Sequence, residues 1–166
     1  MFPGKETRFK IFSNRVIQDG PFDLNLIYKN LKSWFKDHNY TYSEVENTTN
    51  FKPKGAEVKV RMRGERLVTD YYKFTININF LILETEKVKI KDKVVDFGKL
   101  EARQEVFMEV DYRKKFEKSR LGKFVRFVYN NYLIKDQIVS VYGGKAYTEG
   151  MSVFETLKET IGLYSE

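Results

Sequence analysis

The 166-residue sequence contains no cysteine, one histidine (His38), one tryptophan (Trp34) and three prolines (Pro3, Pro21 and Pro53). Without cysteine there is no disulfide, no thiolate metal site and no cysteine nucleophile. A single histidine is too few for the usual zinc and transition-metal ligand sets. A Ser-His-Asp triad would have only His38 to draw on, and no Gly-x-Ser-x-Gly elbow is present to carry its serine. His38 follows Trp34 by four residues and reads as a helix-end residue. With only three prolines and ten glycines there is no room for a long flexible linker, so residues 1–166 read as one domain. Long apolar runs are also missing. The most apolar stretch, Phe80 to Leu83, spans four residues, far short of a membrane-crossing segment. The first ten residues, MFPGKETRFK, lack the apolar core of a signal peptide. These absences predict a cytoplasmic protein. Asn39-Tyr40-Thr41 and Asn47-Thr48-Thr49 then read as chance matches to the glycosylation acceptor.

What is present points to a packed domain: 42% hydrophobic residues, with 14 Phe and 11 Tyr. Disordered chains carry few aromatics. Arg8 to Ile17 reads as a first strand, broken at Asp19-Gly20-Pro21, where proline suits the opening of a helix. Leu24, Ile27, Tyr28, Leu31, Trp34 and Phe35 recur at steps of three and four and predict an amphipathic helix ending at His38-Asn39. Tyr40, Tyr42 and Val45 suggest a short strand, followed by a polar loop through Asn50 to Gly55. Val58, Val60 and Met62 alternate with charged residues. Tyr72, Phe74, Ile76, Ile78, Phe80 and Ile82 alternate with Lys73, Thr75, Asn77 and Asn79. Leu100, Ala102, Val106, Met108 and Val110 form a third alternating run. Each predicts a strand with one face buried and one wet. Lys91-Asp92-Lys93 reads as a hairpin turn pairing Val88 and Ile90 with Val94 or Val95, and Gly98 as the mark of a bulge. Gly143-Gly144 reads as a break. Ser152 with Glu155 resembles a capping box, and Met151, Phe154, Leu157 and Ile161 have helical spacing. The expected fold is therefore α+β: a curved antiparallel meander with an N-terminal amphipathic helix and C-terminal helices packed on one face.

Charge is unevenly spread. The segment RKKFEKSRLGKFVR, residues 113–126, carries Arg113, Lys114, Lys115, Lys118, Arg120, Lys123 and Arg126 against Glu117 alone. That is +6 of a total of +7, so the remainder of the chain is nearly neutral. On a helical projection Phe116, Leu121, Phe124, Val125, Phe127, Val128 and Tyr132 fill one arc. Lys115, Lys118, Lys123 and Arg126 fill the opposite one. Arg120 falls inside the apolar arc, and Gly122 weakens the helix locally. Such a face either stays solvated or meets an anion: nucleic acid, a lipid surface or an acidic protein. Lys59, Arg61, Arg63 and Lys73 on the wet sheet face extend the basic surface, and Glu57, Glu101, Glu105 and Glu109 dilute it. No zinc finger, KH-type GXXG loop or RNP-like aromatic segment accompanies it. Gly143-Gly144-Lys145 lacks the flanking residues of a phosphate loop. The carboxylate pairs Glu84/Glu86 and Glu101/Glu105 are what any wet sheet face contains.

The stretch DYRKKFEKSRLGKFVRFVYNNYLIKDQI, preceded by the meander and followed by LKETIGLY, resembles a group of uncharacterised small archaeal α+β proteins. In these a long strand ends at Asp-Tyr, here Asp111-Tyr112, and leads into a helix with paired tyrosines, here Tyr129 and Tyr132. The resemblance covers the second half of the chain and implies no activity. The strand–helix–meander–helix order also resembles the helix-grip fold, with one helix after the first strand where that fold has two, and with more than one helix at the end. That resemblance implies a sheet and helix enclosing a hydrophobic ligand.

The function expected from the residues is a non-enzymatic binding or assembly protein without cofactor or metal. Arg113, Lys114, Lys115, Lys118, Lys123 and Arg126 would contact an anionic partner, nucleic acid or a ribonucleoprotein. The alternatives are a carrier of a hydrophobic small molecule and a homo-oligomeric, virion-like assembly subunit.

Overall fold

A computed structural model describes residues 8–110, 120–128 and 141–164. Five strands form one antiparallel sheet: β1 (Arg8–Phe22), β2 (Thr41–Lys52), β3 (Gly55–Leu67), β4 (Tyr72–Ile90) and β5 (Lys93–Val110). The helices are α1 (Leu24–Asp37), α2 (Arg120–Val128) and α3 (Gly143–Gly162). The strand order is β1-β5-β4-β3-β2. The strands that flank α1 in sequence therefore lie at opposite edges, and α1 crosses the sheet between them. It follows β1 and is not the N-terminal element.

The alternation in β3, β4 and β5 sorts side chains to two faces. Phe74, Ile76, Ile78, Phe80 and Ile82 on β4 are buried, with Leu100, Ala102, Val106, Met108 and Val110 beside them on β5. Helices α1 and α3 cover this face. Ile27, Leu31, Trp34 and Phe35 of α1 and Val153, Phe154, Leu157 and Ile161 of α3 complete the core. The two helices also touch each other: Trp34 Nε1 donates to Ser152 Oγ at 3.0 Å, and Asn30 Nδ2 to Thr160 Oγ1 at 2.9 Å.

Several expected boundaries move. β1 does not stop at Gly20-Pro21 but continues to Phe22. Gly20 takes φ +134° opposite Gly98, and Pro21, on an edge strand, gives up an N–H that no neighbour needs. β2 is a twelve-residue strand, so the expected loop from Asn50 shrinks to Pro53-Lys54. The bulge expected at Gly98 sits across from it, on β4, where Glu84 has φ +54° and the register shifts between Leu83 and Glu86. Gly55 and Gly98 flank this kink because a Cβ on either would lie 2.8 Å from its backbone. Gly143-Gly144 is no break: both residues begin α3. Ser152 is consequently in the middle of that helix and caps nothing; its hydroxyl serves Trp34 instead. The turn at Lys91-Asp92 does form, with both residues at positive φ and Val88 opposite Val95.

Both ends of α1 are capped. At its C-terminus Asn39 adopts φ +60°, while the Asn39 and Tyr40 amides donate to the Lys36 and Phe35 carbonyls at 3.1 and 2.8 Å, a Schellman arrangement. At its N-terminus Asp23 accepts from the Leu26 amide at 3.0 Å and from Lys93 Nζ at 2.6 Å. Burial alone would raise the Asp23 pKa. The Lys93 hydrogen bond and charge, with the Leu26 and Asn25 amides, outweigh burial and hold it below its ordinary value of 3.8. A carboxyl whose pKa falls on folding stabilises the fold fully above the unfolded value. That contribution is lost as pH falls through the depressed folded one. Asp23→Ala should therefore cost about 1–2 kcal/mol at pH 7, and the difference from wild type should shrink below pH 3. Urea unfolding of both proteins at the two pH values measures it; a difference that persists undiminished in acid would show that Asp23 acts without its charge.

Candidate functional site

The expected basic helix lies partly within the described residues. Arg113, Lys114, Lys115 and Lys118 fall outside them. Arg120 and Lys123 are on α2 and exposed. Arg126 belongs to α2, but its side chain is outside the described residues. Gly122 does not prevent the helix. Leu121 and Phe124, also on α2, are 73% and 47% exposed. Residues 120–128 are the described part of α2. Its exposed cations are suited to attracting an anion without reading sequence.

Three titratable clusters lie elsewhere. The first joins the residue before β2, strand β3 and helix α3. Glu149, 13% exposed, accepts from Tyr40 Oη at 2.5 Å and from Arg66 Nη1 at 2.5 Å. Burial raises the Tyr40 pKa, and the hydrogen bond to Glu149 and its charge raise it further. Tyr40 is thus a fixed donor, not a base or nucleophile at neutral pH. His38 stacks on Trp34, ring centroids 3.9 Å apart, and its Nδ1 is 2.9 Å from the Trp34 carbonyl. It occupies the C-cap of α1, as its place in the sequence predicts.

The second cluster ties the β4–β5 hairpin to the start of α1. Lys87 Nζ meets Asp96 Oδ1 at 2.6 Å, Asp96 Oδ2 accepts from the Leu24 amide at 3.3 Å, and Lys93 also donates to Tyr164 Oη at 3.1 Å. Two carboxylates therefore face the N-terminus of α1, where the helix dipole favours negative charge. Every group in this cluster has a structural partner.

The third is the solvent side of the sheet, where Arg61 and Arg63 of β3, Asn77 and Asn79 of β4, and Arg103 of β5 lie side by side. The alternation in the sequence puts Arg61, Arg63, Asn77 and Asn79 on wet strand faces. Only the register of three strands brings Asn79 between Arg61 and Arg103. Inside the sheet, Gln104 is fully buried and donates through Nε2 to the Gly150 carbonyl at 2.8 Å, with Oε1 unpaired.

A cleft of about 370 Å³ opens at the β2–β3 turn beside Lys52, Pro53, Lys54, Leu83 and Glu84. Glu57 at its rim is held below the usual glutamate range by hydrogen bonds from Lys52 and Lys59. Among the described residues no three His, Asp or Glu side chains gather as metal ligands. No helix among them is long and apolar enough to cross a membrane. No protein-family model matches the sequence, and no curated protein matches it.

Proposed function

We propose that this chain is a non-enzymatic binding or assembly protein whose basic segment, residues 113–126, meets an anionic partner, nucleic acid or a ribonucleoprotein. The observation that carries the reading is charge concentration: +6 of +7 in fourteen residues, ending in a helix whose Arg120 and Lys123 are exposed. Backbone phosphates would supply salt-sensitive, sequence-tolerant affinity, and specificity would come from shape.

The test is fluorescence anisotropy of labelled RNA and DNA across a salt series. Wild type should bind with a steep salt slope, about 0.9 per phosphate contact on duplex DNA. Reversing Lys115, Lys118, Lys123 and Arg126 to glutamate should abolish binding at low salt. Equal binding by the reversed protein sinks the reading.

Self-assembly is the second reading, and one observation favours it. Among the described residues β2 is an edge strand of twelve residues, ten of them exposed, with no strand paired along its outer side. Light scattering that reports a monomer at high concentration removes it.

A further inference from the structure

The solvent side of the sheet is ordered in cross-strand rows. Arg61, Asn79 and Arg103 are direct neighbours in one row, and Arg63, Asn77 and Glu105 in the next. Most charges on this face are matched. Glu105 meets Lys10 at 2.5 Å, Glu109 and Glu65 meet Lys73 at 3.1 and 3.7 Å, and Glu101 meets Arg15 at 3.0 Å. Arg103 reaches Glu101 only at 3.4 Å, and Arg61 reaches Glu46 only at 3.6 Å. Both arginines are about half exposed, and such pairs are weak enough to be exchanged for a better partner.

Arg63 differs from them. It is partly buried, yet among the described residues no carboxylate lies within ion-pair distance of it. Among the described residues its one side-chain bond is from Nε to Asn77 Oδ1 at 3.1 Å, which fixes the guanidinium and leaves the Nη groups without an acceptor there. A guanidinium removed in part from water and given no counter-charge is unfavourable by itself. Asn79, placed between Arg61 and Arg103 by the strand register, has a buried Oδ1 with no hydrogen-bond partner among the described residues. Three arginines thus share this patch, and among the described residues the Nη groups of Arg63 have no acceptor.

We propose that this patch is an oxyanion site for a phosphoryl group, with Arg63 as its fixed donor and Arg61 and Arg103 closing from either side. The spacing suits one tetrahedral anion. Arg61 and Arg63 are two residues apart on one strand, about 6.6 Å, and Arg61 and Arg103 are two strands apart, about 9.5 Å. Planar guanidinium forks match phosphate oxygens two at a time. The site does not depend on the basic segment.

Titrating the 15N-labelled protein with sodium phosphate, against sodium chloride at matched ionic strength, tests it. Saturable amide shifts should appear on β3, β4 and β5 around Arg63, Asn79 and Arg103. Arg63→Met, which keeps the aliphatic stem, should weaken phosphate binding at least tenfold. Asn79→Asp, which removes no arginine but sets a carboxylate between Arg61 and Arg103, should do the same with unchanged spectra elsewhere. Equal shifts with chloride, or wild-type phosphate affinity in both variants, overturns the proposal. Displacement of phosphate by a short unphosphorylated oligonucleotide identifies a nucleic-acid backbone as the source. Displacement by a nucleoside monophosphate alone identifies a free phosphate ester, and displacement by neither overturns the ligand class. The charge-reversed helix variant should retain these phosphate shifts, so failure of the helix reading and failure of this one are separable.

Discussion

Replacing Gly64 with alanine should destabilise the protein by about 2–3 kcal/mol, lowering its thermal midpoint by several degrees. The opposite is expected of glycine to alanine in an unconstrained strand, where the gain is roughly 0.5–1 kcal/mol. The reason for the reversal is Phe35. Its ring is fully buried and packs against Gly64, so that an added Cβ would be 2.3 Å from Cε1 and 2.5 Å from Cδ1. No rotamer adjustment of a fully enclosed ring removes that overlap; α1 must lift from β3. Phe35 is also held edge-on by Trp34 and tilted against Tyr40, so the shift is passed to the helix end. A double-mutant cycle with Phe35→Leu isolates the contact. Phe35→Leu alone should cost about 1–2 kcal/mol, and in its background Gly64→Ala should lose most of its penalty. Strictly additive losses in urea unfolding would show that Phe35 is not the obstacle.

The same contact shows what a sequence does and does not disclose. Phe35 is readable as core because it recurs with Ile27, Leu31 and Trp34 at helical steps. Gly64 has no side chain with which to announce its role, and it is assigned only when β3 and α1 are superposed. Strands β3, β4 and β5 are legible because one face is buried and the other wet, so the alternation survives in the letters. β2 is not legible beyond Val45, because an edge strand exposed on both sides has no burial to impose alternation. The start of α3 is hidden for a related reason. Ala146 and Gly150 are buried, but small residues packed against a sheet carry no hydrophobic signal. At Gly150 a Cβ would meet Val106 at 2.6 Å and Phe12 at 2.7 Å. The apparent capping box at Ser152 misleads because serine is common wherever a hydroxyl acceptor is wanted, and here the donor is an indole. Charge is legible as a density along residues 113–126. The oxyanion patch is not, since Arg61, Asn79 and Arg103 are 18 and 24 residues apart in sequence and meet only through strand register.

Glu149→Ala should cost about 2–4 kcal/mol, the largest loss expected from any single polar side chain described here. Glu149 lies on α3 and draws in two donors, the phenol of Tyr40 just before β2 and the guanidinium of Arg66 on β3. Removing it strands both. Tyr40 is 5% exposed, and Arg66 retains 22% of its side-chain surface, so neither group can be rehydrated without opening the contact between α3 and the sheet. The alternative cause of a loss is the helix itself, but alanine is the better helix former and works in the other direction. Partner variants distinguish the two. Arg66→Met and Tyr40→Phe keep the packing while removing the donors, and in the double background Glu149→Ala should cost little, because no buried donor is then left unpaired. Glu149→Gln should fall between, since it keeps an acceptor for Tyr40 and loses the charge that holds Arg66. If Glu149→Ala is equally costly with and without the two donors, the triad does not hold α3 in place, and the docking of this helix rests on its apolar residues and on its hydrogen bonds to Trp34, Asn30 and Gln104.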